Sequence, residues 1–166
     1  MQVNIALLTV TDTRTIDTDK SGAILVKKIK EQNHKLIDRK IVSDEKEKIK
    51  KILLEWLKKD ELDVIITTGG TGLTGRDITP EALKDIADKE IPGFGELFRE
   101  LSYKTIGTSA MQSRACAVLA NGKYIFALPG SSGGVRDAWD MILKYQLDIN
   151  HKPCNFVELF PRLKEK

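Results

Sequence analysis

The chain has 166 residues, 41% of them hydrophobic and 31% charged, which is the composition of an ordinary globular protein of one domain. Its 27 basic and 24 acidic side chains give a net charge of only +3. DNA or RNA would require basic residues clustered on one face, so this mixed balance argues against a nucleic-acid partner.

The first predicted elements alternate between strand and helix. Val3–Val10 is a continuous apolar run of strand length, as is typical of a strand covered on both faces. A polar loop, Thr11–Lys20, leads to a helix that opens at Ser21, and Leu36–Val42 forms the second predicted strand.

The second predicted helix has a capping signal and a distinct core face. Asp44 is predicted to cap it, because Glu47 follows at the spacing of a capping box. Apolar residues then recur at helical spacing: Ile49, Ile52, Leu53, Trp56 and Leu57. Leu62–Thr67 follows as a third buried strand and runs into a glycine-rich loop.

Two helices are predicted after the glycine-rich loop. Thr79 is predicted to cap the first, with Pro80 in its first helical position. The face of the second consists of Phe94, Leu97, Phe98 and Leu101.

A hairpin and a final helix are predicted in the last third of the chain. Asn121-Gly122 lies between the apolar runs Cys116–Leu119 and Tyr124–Leu128, which is a strong signal for a two-residue hairpin turn. The loop Pro129–Gly134 then precedes a helix with a regular apolar stripe: Val135, Ala138, Trp139, Ile142 and Leu143.

This alternation predicts an α/β fold, a three-layer α/β/α sandwich on a mostly parallel sheet with one antiparallel hairpin. Ligands of such sheets bind in the crevice at the carboxyl ends of the strands. Four predicted loops leave strands at that edge: Thr11–Lys20, Ser43–Asp44, Thr68–Thr79 and Pro129–Gly134.

The glycine-rich loop resembles two phosphate-binding motifs without matching either. Gly70–Gly75 reads GxGxxG, but the predicted helix begins well beyond Gly75, whereas a dinucleotide-binding unit starts its helix inside the motif. The same residues approach a P-loop, in which Arg76 would replace the lysine and Asp77 the hydroxyl that holds Mg²⁺. A simpler alternative is a tight turn in which Asp77 bonds loop amides.

A carboxylate in a phosphate loop requires an explanation. Two like charges about 4 Å apart repel by roughly 4 kcal/mol at an effective dielectric constant of 20. A Mg²⁺ ion reverses that sign, since it takes one or two carboxylates together with phosphate oxygens. We therefore predict that the loop binds phosphate through its N–H groups and that Asp77 is a metal ligand.

Two further features are predicted at the same edge. Asp44 is a second carboxylate, and capping would still leave one of its oxygens free. Ser131 and Ser132 precede an amphipathic helix whose N-terminus could attract an anion, or they could only form a capped turn. Two anion sites and two carboxylates together suggest two phosphorylated ligands with a metal between them.

Several segments together resemble one family, the molybdopterin adenylyltransferases of the MoaB and MogA type. The shared motifs occur in the family's order over most of the chain: Thr68–Gly72, Arg76–Glu81, Pro92–Glu96 with Phe98-Arg99, Ser113-Arg114 and Leu128–Gly130. Ser131-Ser132, where many members have Asn-Pro or a similar pair, is similar to the MoaB branch.

The resemblance implies one molybdopterin-binding domain over residues 1–166 and a transfer of AMP from Mg-ATP to the terminal phosphate of molybdopterin. It implies Asp44 and Asp77 as functional carboxylates. The implied ligand-binding residues are Thr11, Gly69, Gly70, Thr71, Gly72, Arg76, Thr79, Ser109, Pro129, Gly130, Ser131 and Ser132.

The resemblance also implies assembly as a homotrimer or a dimer of trimers, and a molybdenum-inserting enzyme as a further partner. Alternatives are a protein that binds or carries molybdopterin without chemistry, and a self-associating scaffold. Cys116 and Cys154 have no ligand types near them in sequence, so we expect reduced thiols and no zinc site. With no signal peptide or long apolar run, we expect a cytoplasmic protein without a membrane partner.

Overall fold

A computed structural model describes residues 1–165, and Lys166, the last residue of the predicted domain, lies outside the described residues. Within that range six strands form one sheet: β1 (Asn4–Val10), β2 (Lys35–Val42), β3 (Val64–Thr68), β4 (Lys89–Glu90), β5 (Cys116–Ala120) and β6 (Lys123–Leu128). Their order is β2-β1-β3-β6-β5-β4. The first three strands and β6 are parallel, and β5 is antiparallel to both of its neighbours. The predicted mixed α/β sheet is thus confirmed, with the short β4 as an addition.

Helices cover both faces of this sheet. They are α1 (Lys20–Glu31), α2 (Lys46–Leu57), α3 (Thr79–Ile86), α4 (Pro92–Ile106), α5 (Ser132–Ala138) and α6 (Lys144–Gln146), with a π-helical segment, Trp139–Leu143, joining the last two. Short 3₁₀ segments span Gly107–Gln112 and Val157–Arg162. One core contains side chains of α1, α4 and α5, and the other contains those of α2 and α3.

The strand β1 shows why the sheet is covered on both sides. Ile5 and Leu7 lie in one core while Ala6 and Leu8 lie in the other, as the two-residue period of a strand requires. All four side chains are fully buried. The continuous apolar run therefore has the physical origin predicted for it.

The hairpin is confirmed down to its turn. Asn121 and Gly122 both have positive φ, 46° and 70°, as a type I′ turn between antiparallel strands requires. No helix within residues 1–165 is both long and apolar enough to cross a bilayer.

Three helix details differ from the predictions. The helix α2 begins after Glu45 without a side-chain cap, so Asp44 lies one residue too early to cap it. Thr79 is itself the first residue of α3 and does not cap it. On α4, Leu97 is 42% exposed while Phe94 and Phe98 are buried, because the helix packs along a stripe that omits Leu97.

A buried carboxylate missed by the sequence interpretation joins β1, β2 and α1. Asp19 caps α1 by accepting a hydrogen bond from Gly22 N (2.9 Å), and it also accepts from Thr9 Oγ1 (2.6 Å). Nη2 of Arg39 on β2 donates to it at 3.1 Å. Burial raises the pKa of Asp19, but these hydrogen bonds and the Arg39 charge outweigh that effect and hold the pKa below 3.8.

We expect Asp19→Ala to lower the free energy of unfolding at neutral pH by about 3–5 kcal/mol, because it leaves Arg39 without its buried partner. Since the pKa is lowered by folding, the stabilisation by Asp19 is present above pH 3.8 and is lost as the pH falls through the folded-state value. Urea denaturation of Asp19→Ala and the parent, at neutral pH and at a pH well below 3.8, tests this. Glu31→Ala, which removes an exposed ion pair with Lys27, is the control and should cost less than about 1 kcal/mol. Equal effects of the two variants would contradict the prediction.

Candidate functional site

The carboxyl ends of the four parallel strands bring the predicted loops together. Thr68 at the end of β3 pairs with Thr9 on β1 and with Leu128 on β6, so these strands end side by side. Two clefts open at this edge. Each is named after the carboxylate that it contains: the Asp44 cleft and the Asp77 cleft.

The Asp44 cleft has a volume of about 380 Å³ and lies at the ends of β1 and β3. Its polar lining comes from all four loops, and it includes Thr11, Arg14, Asp44, Gly69 and Ser131. Arg14, which the sequence interpretation passed over, donates through Nη1 to Gly130 O at 3.4 Å. This cleft therefore has one cation and one carboxylate on its walls.

The Asp77 cleft is larger, about 710 Å³, and lies on the other side of the glycine-rich loop. Thr71, Gly72 and Asp77 of that loop line one wall, and Phe98 and Ser102 of α4 line another. Phe98 and Ser102 were not predicted as site residues. The cleft thus combines a polar loop with an apolar helix face.

The two clefts share a rim. Gly70, Gly130 and Ser131 line both of them. The rim is held together by Gly69 N, which donates to Leu128 O at 3.0 Å, and by Thr68 Oγ1, which donates to Pro129 O at 2.8 Å. Ser131 caps α5 by accepting a hydrogen bond from Gly134 N. The two loops predicted to bind phosphate therefore form one continuous ridge between two cavities.

Asp44 lies in an electrostatically unfavourable position. Partial burial raises its pKa above 3.8, and the nearby Asp12 carboxylate raises it further. The Arg76 charge opposes this, the Asp77 carboxylate adds a smaller upward effect, and a hydrogen bond from the Asp12 main chain has a still smaller lowering effect. Within residues 1–165 the Asp44 carboxylate accepts no hydrogen bond from a side chain. The group is thus poised for a cation or a donor from a ligand.

Asp77 has the opposite environment. Its Oδ2 accepts from Thr74 N (2.9 Å) and Thr74 Oγ1 (2.7 Å). Partial burial raises its pKa, but these bonds, the Gly72 amide and the Arg114 charge together lower it below 3.8. The simpler alternative, a carboxylate that bonds loop amides, is therefore true of Oδ2, and Asp77 remains ionised.

Asp12 connects three of the four loops. Its Oδ2 accepts from Arg76 Nε and Nη2, at 3.0 and 2.7 Å, and its Oδ1 accepts from Asp44 N at 3.0 Å. This last bond explains why Asp44 stays in the loop instead of capping α2. The position of Asp12 just after β1, at the edge where ligands bind, is the signal that could have identified it.

Several predicted residues do not line either cleft. The Arg76 guanidinium is engaged by Asp12. Thr79 is fully buried behind the ridge, where Oγ1 donates to Gly69 O at 2.9 Å and N donates to Gly70 O at 3.0 Å. Ser132 begins α5, and Ser109 lies in the exposed 3₁₀ segment. Arg76 and Thr79 therefore support the glycine-rich loop from outside the clefts.

The carboxylates of Asp44 and Asp77 are oxygen ligands of the type that Mg²⁺ prefers. No cluster of three or more His, Cys, Asp or Glu side chains suited to hold a metal ion occurs in residues 1–165. Asp44 and Asp77 nonetheless raise one another's energy when both are ionised, and a divalent cation would relieve that repulsion. The residues present fit a cation that also binds ligand oxygens.

Fold and site together define an α/β protein with two clefts divided by a glycine-rich ridge at the carboxyl ends of its parallel strands. Residues 6–149 match the family described as a probable molybdopterin binding domain, and the chain belongs to that family.

The chain is similar to molybdenum cofactor biosynthesis protein B of Escherichia coli K12, with 45% identity over 161 residues, covering 97% of this chain and 93% of that protein. It is 47% identical to the protein of the same name from Bacillus cereus over 147 residues, covering 88% and 87%. A crystal structure of molybdenum cofactor biosynthesis protein B superposes with a TM-score of 0.89 at 42% identity, covering 100% of this chain and 98% of that one.

Proposed function

We propose that this protein acts in molybdenum cofactor biosynthesis and transfers AMP from Mg-ATP to molybdopterin. The observation that carries the proposal is the shared ridge. Two phosphorylated ligands in the two clefts would have their phosphates side by side at Gly70, Gly130 and Ser131. Membership of a molybdopterin-binding family and the names of the relatives support the pathway.

The reaction would need little proton transfer from the protein. An oxygen of the terminal molybdopterin phosphate attacks the α-phosphorus of ATP, and a new P–O–P bond forms. The bond from the α-phosphorus to the bridging oxygen breaks, and pyrophosphate leaves with that electron pair. The nucleophile is already anionic near neutral pH, so catalysis would depend on positioning and charge neutralisation.

The ridge residues have distinct roles in this proposal. The residues that bind and orient phosphates are those of the two loops that line the clefts: Gly69, Gly70, Thr71, Gly72, Pro129, Gly130 and Ser131. Thr11 and Arg14 bind the outer part of the ligand in the Asp44 cleft, whereas Ser109 and Ser132 line neither cleft and contact no ligand in this proposal. Asp77 would hold Mg²⁺, which would supply charge neutralisation at the ATP phosphates, and Asp44 would be the second functional carboxylate. Arg76 leaves Asp12 for a phosphate, and Thr79 supports the loop.

The test measures pyrophosphate release with both substrates, with each alone, and with excess chelator. We expect release only when molybdopterin, ATP and Mg²⁺ are all present. If calorimetry instead shows that molybdopterin binds without ATP or Mg²⁺, and no pyrophosphate forms under any condition, the protein is a carrier and the enzymatic proposal is wrong. Size-exclusion chromatography with light scattering tests the proposed homotrimer or dimer of trimers.

A further inference from the structure

Arg114 lines neither cleft and contacts the glycine-rich loop at several points. Its Nε donates to Gly72 O at 2.7 Å and its Nη2 donates to Asp77 O at 2.8 Å. Its own main-chain N donates to Thr71 O at 2.8 Å. Arg114 therefore engages three carbonyl oxygens of the loop. Those of Thr71 and Gly72 lie at one end of the Thr71–Asp77 segment, and that of Asp77 lies at the other.

The charge of Arg114 is balanced locally. Nη1 and Nη2 both donate to the carboxylate of Glu81, in the first turn of α3. Burial raises the pKa of Glu81, but the Arg114 hydrogen bond and charge outweigh it and keep the carboxylate ionised. Because the Arg114–Glu81 ion pair has little net charge, the main effect of Arg114 is to fix the conformation of the loop. Its contribution to the positive potential at the loop is smaller.

A loop that binds an anion through its N–H groups must turn its carbonyl oxygens elsewhere, since a carbonyl dipole aimed at phosphate would repel it. The planar guanidinium can collect two carbonyls and a carboxylate at once, because its five N–H donors have a fixed fork geometry. A lysine ammonium has no comparable fork. The three carbonyls engaged by Arg114 are all on the loop that separates the clefts.

We propose that Arg114 is a positioning residue that fixes the Thr71–Asp77 loop in its phosphate-binding conformation by holding its carbonyl oxygens away from both clefts. The consequence for ligands rests on the proposed function, whereas the consequence for loop structure does not. Arg114 touches neither substrate in this assignment and acts through the loop.

A neighbouring arginine provides a matched control. Nη1 of Arg99 donates to Ser113 O (3.3 Å) and Ala115 O (2.9 Å), so it anchors the residues on either side of Arg114 without contacting the glycine-rich loop. Arg99→Ala and Arg114→Ala should both lower stability. Only the Arg114 variant should alter the loop.

The first measurement uses ligand-free protein. In NMR hydrogen exchange the amides of Asp77 and Thr79, which bond to Thr74 O and Gly70 O, should exchange at least tenfold faster in Arg114→Ala and Arg114→Lys than in the parent. They should keep their protection in Arg99→Ala, relative to global unfolding measured in the same sample. Unchanged protection of both amides in the Arg114 variants would overturn the proposal whether or not the protein is an enzyme.

The second measurement is Mg-ATP affinity and turnover. We expect Arg114→Ala to weaken Mg-ATP binding at least tenfold and to lower kcat/KM by about 100-fold, as a misplaced binding group does. Millimolar guanidinium should restore affinity to Arg114→Ala but not to Arg114→Lys, a result that a general stability defect would not produce. Arg99→Ala should keep the parental affinity with or without guanidinium. Parental affinity in Arg114→Ala would refute the ligand consequence. If the parent itself binds no Mg-ATP, the proposed function fails while the exchange experiment still decides the role of Arg114.

Discussion

Asp44→Asn is expected to lower turnover by about 100- to 1000-fold, the typical effect of removing one preorganised electrostatic group, and yet to leave the protein as stable at pH 7 as its parent or more so. The stability expectation follows from the raised pKa of Asp44. A carboxyl whose pKa is raised by folding destabilises the folded state when ionised, at pH above that raised value. Below 3.8, where it is protonated in both states, that cost is absent. The neutral amide removes the cost at every pH.

Asp77→Asn should lose turnover to a similar extent but should also lose stability. Its pKa is lowered by folding, so the ionised form stabilises the protein above pH 3.8, and that contribution disappears as the pH falls through the lowered value. Pyrophosphate release and thermal unfolding at neutral and acidic pH measure both properties.

The control for both variants is Asp85→Asn. Asp85 of α3 forms ion pairs with Lys46 and Lys50 of α2 at the protein surface, and it lines neither cleft. Its turnover should equal that of the parent. Parental turnover in Asp44→Asn or Asp77→Asn would refute the role of that carboxylate, and a large loss of stability in Asp44→Asn would contradict the electrostatic account of its pKa.

Gly69→Ala is the second variant with a large expected effect. Gly69 has φ of +103°, and a Cβ added there would lie 2.2 Å from Val10 O, a backbone atom. Backbone strain at such a residue costs of order 1–3 kcal/mol, and the clash with β1 adds to it. We expect the unfolding free energy to fall by more than about 3 kcal/mol and Mg-ATP binding to be lost, because the ridge must separate from β1.

A second glycine of the same loop serves as the control. A Cβ added at Gly75 has no heavy atom within 4 Å, and no positive φ occurs there. Gly75→Ala should change the unfolding free energy by less than about 0.5 kcal/mol, as is usual for a surface substitution. Urea denaturation and calorimetry measure the two glycine variants side by side. If both variants behave alike, the contact of Gly69 with Val10 has no importance for the ridge.

Local patterns predicted the elements well because each depends on near neighbours. The stripe of α2 buries Ile49, Leu53 and Trp56 as its spacing indicates, and Asn121-Gly122 makes the turn that its residue types favour. The capping box at Asp44 fulfilled the same kind of local rule and was wrong, since Asp12, distant in sequence, holds the Asp44 amide instead.

The sequence alone therefore determined every strand but the short β4, most of the helices, the mixed sheet and the edge at which four loops meet, because periodicity and turn chemistry act over a few residues. Only the tertiary structure decided how charges and hydrogen bonds pair at that edge. It placed Arg76 on Asp12, Arg114 against the glycine-rich loop, and Asp44 and Asp77 in separate clefts. Those pairings join residues from different loops, and their free energies depend on distance and burial in space, which no local pattern in the chain encodes.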